Sequence, residues 1–117
     1  MHRYRELRAW AKCRELALAV YRTSSAFPPF ESHGITAQIR RAAVSAVTNV
    51  AEGSAKAGKA EFCRFLDMAL GSLAEVDALL DLASSLEYMD SGRAQELFEL
   101  REEASKLTFA LKRRIRL

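Results

Sequence analysis

Residues 35–86 read ITAQIRRAAVSAVTNVAEGSAKAGKAEFCRFLDMALGSLAEVDALLDLASSL. Apolar residues recur there at steps of three and four, which predicts two amphipathic helices joined by a short loop from Gly53 to Gly58. The second of these helices is apolar on more than one side. Because one small bundle does not cover so broad an apolar surface, the pattern favours self-association.

The flanking sequence predicts two further helices, giving four in one domain of 117 residues. The first ends before Pro28, because a proline disfavours the α conformation in the residue that precedes it. Gly53 is expected to close the second helix in the left-handed conformation, and Asp90 or Ser91 to cap the fourth. The predicted helices cover residues 6–26, 36–52, 59–87 and 91–117. The sequence therefore predicts an all-α, antiparallel up-down-up-down four-helix bundle.

The third predicted helix carries two apolar rows. The first is a heptad seam formed by Phe62, Leu66, Ala69, Leu73, Val76, Leu80 and Ala83. The second row, which we assign to an interface between copies of the chain, consists of Phe65, Leu79 and Leu86. Gly71 costs about 1 kcal/mol relative to alanine inside a helix. A close crossing with the small-sided second helix would offset that cost, and the alternative is a tolerated surface position.

The net charge of +3 conceals a segregation of charge along the chain. Residues 1–59 carry ten Lys or Arg against four Asp or Glu, residues 60–103 carry three against eleven, and residues 104–117 carry five against none. A basic cluster can attract phosphate. The alternative is that basic and acidic helices pack side by side, so that their fields partly cancel.

Targeting segments and metal sites are not indicated. No apolar run approaches the roughly 18 residues of a membrane span. The charged N-terminus, MHRYRELRAW, lacks the apolar core of a secretory signal, so we expect a cytoplasmic protein. Cys13, Cys63, His2 and His33 include no two residues at ligand spacing. We therefore expect no metal, no cofactor and two reduced thiols.

Three short segments carry a family resemblance: QIRRAA at residues 38–43, NVAEG at residues 49–53 and ALGSL at residues 69–73. Together with LRAWAKCRELALAVYRTSSAFP in the first helix, they resemble the four-helix bundle proteins encoded by intervening sequences of bacterial large-subunit (23S) ribosomal RNA genes. The resemblance extends over nearly the whole chain. Val47 stands where the family pattern usually has proline, so the chain departs from the pattern there.

The resemblance implies an antiparallel bundle that assembles as a ring, commonly a homopentamer. It also implies kinship with the accessory variability proteins of diversity-generating retroelements, which are similar barrels that bind nucleic acid and a reverse transcriptase. A fold transfers between relatives more readily than an activity does.

Nucleic-acid binding is the leading functional hypothesis, because arginine forks match phosphate oxygens and neutralised phosphate supplies most non-specific affinity. The candidate residues are Arg40, Arg41, Lys56, Lys59, Arg64, Lys112, Arg113, Arg114 and Arg116. The alternatives are a solvated face with ion pairs to Glu61 or Asp67 and, for the C-terminal cations, a tail that complements the helix dipole. A second hypothesis is a scaffold that presents its acidic helices to a basic protein such as a polymerase or reverse transcriptase.

Asn49 and Glu52 lie on one side of the second helix and could in principle form an acid–base site. No histidine, second acid or nucleophile accompanies them in sequence, so we assign them a structural polar role and expect no enzymatic activity. A small hydrolase using Glu52 is the third and weakest hypothesis. Most aromatic residues fall on the apolar stripes, whereas Tyr4, Phe30 and Tyr88 lie nearer helix ends. An aromatic side chain can stack on bases only where it is exposed.

Overall fold

The structure, a computed structural model, describes residues 3–117 and contains no strand within them. Four α-helices account for most of these residues, so the all-α prediction is confirmed. The helices are α1 (Arg8–Ser24), α2 (Ile35–Ser54), α3 (Lys59–Ser85) and α4 (Ser91–Arg116). None of the four is long and apolar enough to cross a bilayer.

The helix ends differ from the predictions by a few residues, each for a local reason. A separate 3-10 turn occupies Tyr4–Glu6, so α1 begins two residues later than expected. Asp90 caps α4 as predicted, with its Oδ1 accepting a hydrogen bond from the Arg93 N–H at 2.8 Å. Beyond α3, Glu87 adopts the left-handed conformation with φ of 62°, a role that glycine usually fills.

Gly53 lies inside α2 and has no positive φ, so the prediction that it closes the helix is wrong. Its function is close packing. A Cβ on Gly53 would lie 2.8 Å from the Phe65 Cβ and 3.1 Å from the Phe62 Cδ1, which is too close for carbon atoms. The absent side chain therefore lets the end of α2 approach the start of α3.

Gly71 does not mark the helix crossing. It is exposed on α3, and no atom lies within 4 Å of the position that its Cβ would occupy. The surface alternative is therefore correct, and the expected crossing at Gly71 is wrong. Ser72 does face α2, where its hydroxyl lies 2.8 Å from the Ser45 hydroxyl.

The four helices enclose one core, in which α2 and α4 each pack against both α1 and α3. Residues near the start of one helix meet residues near the end of its neighbour. Arg40 of α2 contacts Ser24 of α1, and Cys63 of α3 lies against the backbone carbonyl of Lys112 in α4. The heptad seam of α3 is 0–4% exposed throughout, so its assignment to the core is confirmed.

The second apolar row of α3 does not form an exposed stripe. Phe65 is 8% exposed and Leu79 is 6% exposed within the single chain, whereas Leu86 is 52% exposed. The small side chains of α2 let the chain cover much of this row by itself. Phe65 and Leu79 are therefore covered without a second copy of the chain, and only Leu86 of the three is open to a partner.

Candidate nucleic-acid interface

Three segments that are distant in sequence meet at one end of the molecule, and three surface clefts lie between them. The Tyr4 cleft joins residues 3–6 to residues 51–55. The Arg8 cleft joins residues 6–9 to residues 107–114. The Lys56 cleft, with a volume of about 220 Å³, joins residues 56–62 to Arg114 and Ile115. The second cleft shares Glu6 with the first and Arg114 with the third, so the three are adjacent.

We call this surface the basic end, because eight cations lie on these segments. They are Arg3, Arg5, Arg8, Lys56, Lys59, Arg113, Arg114 and Arg116. Five of the eight were predicted from the sequence. Lys59, Arg113, Arg114 and Arg116 are exposed. No salt bridge joins any of these four to a carboxylate within residues 3–117, so their positive charge faces solvent.

Two other predicted phosphate ligands are already engaged. The Lys112 Nζ lies 2.6 Å from the Asp67 Oδ1. Arg64 donates from Nε and Nη2 to Glu61 at 2.8 and 3.2 Å, and this pairing lowers the pKa of the Glu61 carboxyl. Arg64 and Lys112 therefore form the ion pairs to Glu61 and Asp67 that were the alternative to phosphate binding.

Aromatic contacts hold two of these cations over one ring. The Arg64 guanidinium lies 4.8 Å from the centroid of the Phe65 ring, and the Lys56 Nζ lies 5.1 Å from it. Cation–π attraction of this kind is worth about 0.5–1 kcal/mol at exposed sites. Lys56 therefore keeps its charge at the basic end but is partly committed to covering Phe65.

Arg40 and Arg41 have separate roles. The Arg40 Nε donates to the Ser24 Oγ at 2.8 Å, and its guanidinium lies 4.8 Å from the Tyr21 ring centroid. Its Nη2 donates to the Tyr21 carbonyl at 3.4 Å, so Arg40 ties the start of α2 to the end of α1. Arg41 is exposed and has no such contact. Both residues lie near the start of α2, whereas the basic end lies near the end of α2.

Replacing Arg40 with alanine should therefore lower the free energy of unfolding by about 1–2 kcal/mol, because its hydrogen bonds to Ser24, Ser25 and the Tyr21 carbonyl and one cation–π contact are lost. Arg41→Ala also removes one positive charge, but from an exposed position, and should change the free energy of unfolding by less than about 0.5 kcal/mol. Urea unfolding followed by circular dichroism measures both. Equal stability of the two variants would contradict the structural role of Arg40.

Asn49 and Glu52 do not form a pair. Asn49 is 8% exposed, and its Nδ2 donates to the Ser45 carbonyl at 2.9 Å and to the Ser45 Oγ at 3.0 Å. Glu52 is exposed, and its carboxylate makes no hydrogen bond or ion pair within residues 3–117. Asn49 therefore extends the Ser45–Ser72 contact between α2 and α3, and the geometry assembles no acid–base site.

The cysteines and histidines do not converge. Cys13 is fully buried, and burial raises the pKa of its thiol to about 11. Cys63 is half-buried, and both thiols are free. His2 lies outside the described residues. Among residues 3–117, no three His, Cys, Asp or Glu side chains are grouped so as to hold a metal ion.

Three residues of the basic end were not predicted from the sequence: Arg3, Arg5 and Arg8. The only sequence signal for them was the basic N-terminus, which we used to exclude a secretory signal. Arg3 forms a loose ion pair with Glu6 at 3.9 Å, and both side chains are exposed. Arg8 is the first residue of α1 and is also exposed. Arg8 lies beside Arg114 because α1 packs against α4, whereas Arg3 and Arg5 lie beside the end of α2.

Comparison with known proteins agrees with the helical architecture. The family model of the 23S rRNA-intervening sequence protein matches residues 5–110. A crystal structure of a protein of unknown function from the S23 ribosomal protein family of Bacteroides thetaiotaomicron VPI-5482 is similar, with a TM-score of 0.79 and 21% identity. The match covers 89% of this chain and 97% of that one, and at this identity it shows a shared fold and nothing about function. Among curated proteins, no relative matches. The chain belongs to the 23S rRNA intervening sequence protein family.

Proposed function

We propose that this protein is not an enzyme and that it binds nucleic acid through the basic end. The observation that carries the proposal is the convergence of eight exposed cations on one end, of which only Arg3 forms a salt bridge within residues 3–117. Lysine and arginine that face solvent in this way neutralise phosphates and release counterions, which supplies sequence-independent affinity. No sequence-reading module is present in the fold, so we expect contacts to the backbone of RNA or DNA.

Helix-dipole compensation accounts for only part of this charge. Arg113, Arg114 and Arg116 lie in the last turn of α4, where cations stabilise a helix. Arg8 and Lys59 are the first residues of α1 and α3, where a cation opposes the dipole. A positive charge at those two positions is unfavourable for the helix itself. A negatively charged ligand bound at these positions would offset the unfavourable interaction with the helix dipole.

The scaffold hypothesis is less well supported, because the acidic side chains of α3 and α4 are largely paired within the chain. Six of the eleven Asp and Glu in residues 60–103 take part in salt bridges. They are Glu61, Asp67, Asp77, Glu96, Glu102 and Glu103. A basic partner such as a polymerase would have to compete with these internal cations.

The double variant Arg113→Ala/Arg114→Ala should bind a labelled oligonucleotide about tenfold more weakly at moderate salt, because two phosphate contacts are lost. The slope of log affinity against log salt should become shallower by about 2. Fluorescence polarisation over a salt series measures both quantities. The matched control is Arg14→Ala/Arg22→Ala, which removes two exposed charges from α1 away from the basic end. Equal losses in the two variants, or no binding at low salt, would reject the proposal.

We also propose that the helices alternate in direction as an up-down-up-down bundle and that copies assemble as a ring, commonly a pentamer in the resembling family. Contacts between the start of one helix and the end of its neighbour support this alternation of helix direction. An apolar groove of about 230 Å³ between α1 and α2 supports assembly, and its walls include the exposed side chains of Leu18, Tyr21 and Val44. Exposed Leu82 on α3 offers a second apolar surface. A ring would repeat the basic end around its axis.

A further inference from the structure

The Tyr4 cleft has a volume of about 530 Å³, within the range of small-molecule sites. It lies between the 3-10 turn Tyr4–Glu6 and the last turns of α2. Its wall contains a half-buried tyrosine ring. In the neighbouring Lys56 cleft, the aromatic ring of Phe62 is only 4% exposed. The Tyr4 cleft therefore offers accessible aromatic surface at the basic end.

The Tyr4 ring is held in place from two directions. Trp10 packs against it in a T-shaped arrangement, with ring centroids 4.9 Å apart and ring planes at 75°. The Arg5 guanidinium lies 4.8 Å from the centroid of the Tyr4 ring. A guanidinium that lies over an aromatic ring is a stacking platform for a nucleobase, because the base can lie on the outer face of the guanidinium while the ring supports it from behind.

The opposite wall of the Tyr4 cleft is small and largely apolar. Ala51 and Ala55 leave room, and the Ser54 hydroxyl is committed to the Ala51 carbonyl at 2.7 Å. This wall accommodates a flat ring better than a phosphate. The charged side chains of the cleft are Arg3, Arg5 and Glu6, and Glu6 is partly neutralised by Arg3 at 3.9 Å. Arg5 forms no salt bridge with any carboxylate of residues 3–117, so its guanidinium is available to stack on a base.

We infer that the Tyr4 cleft binds an unpaired base of single-stranded nucleic acid, with Tyr4 and Arg5 as the stacking platform. This inference rests on the proposed function and adds to it a preference for single strands over duplex. The bases of a duplex are already stacked, so only an unpaired base can enter the cleft without an unstacking cost. From there the strand continues to the Arg8 cleft, which shares Glu6.

Trp10 supplies a built-in probe, because it is the only tryptophan of the chain and contacts Tyr4. Titration with oligouridylate or oligothymidylate of about 12 nucleotides should change its fluorescence, since a base on Tyr4 alters the ring packed against Trp10. A duplex of the same length should bind about tenfold more weakly by polarisation and leave the fluorescence unchanged, because stacking is absent. The two strands differ at the 2′-hydroxyl and at the thymine methyl group, so together they show whether RNA and DNA are bound with different affinity.

Tyr4→Ala should weaken single-strand binding about tenfold and leave duplex binding unchanged, since stacking contributes about 1–3 kcal/mol per base. Tyr4→Phe keeps the ring and should retain the affinity. The matched control is Phe30→Ala, which removes an exposed aromatic ring that precedes the start of α2 and is remote from the cleft. Single-strand binding by this control should stay at the wild-type level.

The outcomes separate the inference from the proposed function. Stronger binding of single strands, lost in Tyr4→Ala and retained in Tyr4→Phe, supports the inference. Equal binding of strand and duplex, or equal losses for Tyr4→Ala and Phe30→Ala, overturns the inference alone, because charge-driven binding persists. Failure of strand and duplex alike to bind at about 50 mM salt overturns the proposed function and the inference with it.

Discussion

Substitution of Gly53 by alanine should lower the free energy of unfolding by about 1–3 kcal/mol, because the added methyl group overpacks the contact between α2 and α3. Its carbon would lie 2.8 Å from the Phe65 Cβ, an atom fixed to the backbone of α3 that cannot move aside by rotation. The helices would have to separate. Their separation would loosen the packing of Phe65 and disturb the Ser45–Ser72 contact further along the same pair of helices.

Gly71→Ala is the matched control and should raise the free energy of unfolding. Gly71 lies inside α3 with open space around it, so alanine adds no clash. Alanine is favoured over glycine in a helix by about 1 kcal/mol, because less backbone freedom is lost on folding. Chemical denaturation of the two variants measures the contrast. Stabilisation by both substitutions would show that the close approach at Gly53 is absent in solution.

These two glycines illustrate the limit of the sequence argument. Both lie within strong helical patterns, and both were interpreted from their neighbours in sequence. Periodicity reports which residues avoid water, and it therefore predicted the seam of α3 correctly. It does not report which helix covers which row. The decisive distance at Gly53 depends on how closely α2 and α3 approach, which is a property of the packed pair.

The candidate site shows the same limit for charge. Counting charges along the chain indicated a basic first half and a basic C-terminus, and the structure brings parts of both to one end. The count could not show that Lys112 pairs with Asp67 or that Arg40 ties α2 to the end of α1. Nor could it show that Arg8 lies beside Arg114, since 105 positions separate them in the sequence. Charge pairing requires tertiary proximity, and only the fold supplies it.

Leu79→Asp should unfold the protein or destabilise it by more than about 4 kcal/mol. Leu79 is 6% exposed and belongs to the core, so the substitution removes buried apolar surface and introduces a charge without a partner. A domain of this size is stable by about 5–15 kcal/mol, so the loss is a large share of the total. Thermal melting followed by circular dichroism should show a strongly lowered midpoint.

Leu82→Asp is the matched control on the same helix. Leu82 is 50% exposed, so an aspartate there stays hydrated and the helix content and melting temperature should change little. If copies assemble through this surface, Leu82→Asp should reduce the particle mass measured by light scattering while the fold persists. A folded Leu79→Asp variant with a smaller particle mass than the wild type would contradict the burial of Leu79. The second row of α3 would then face a neighbouring copy, and the broad apolar surface of that helix would itself drive the assembly.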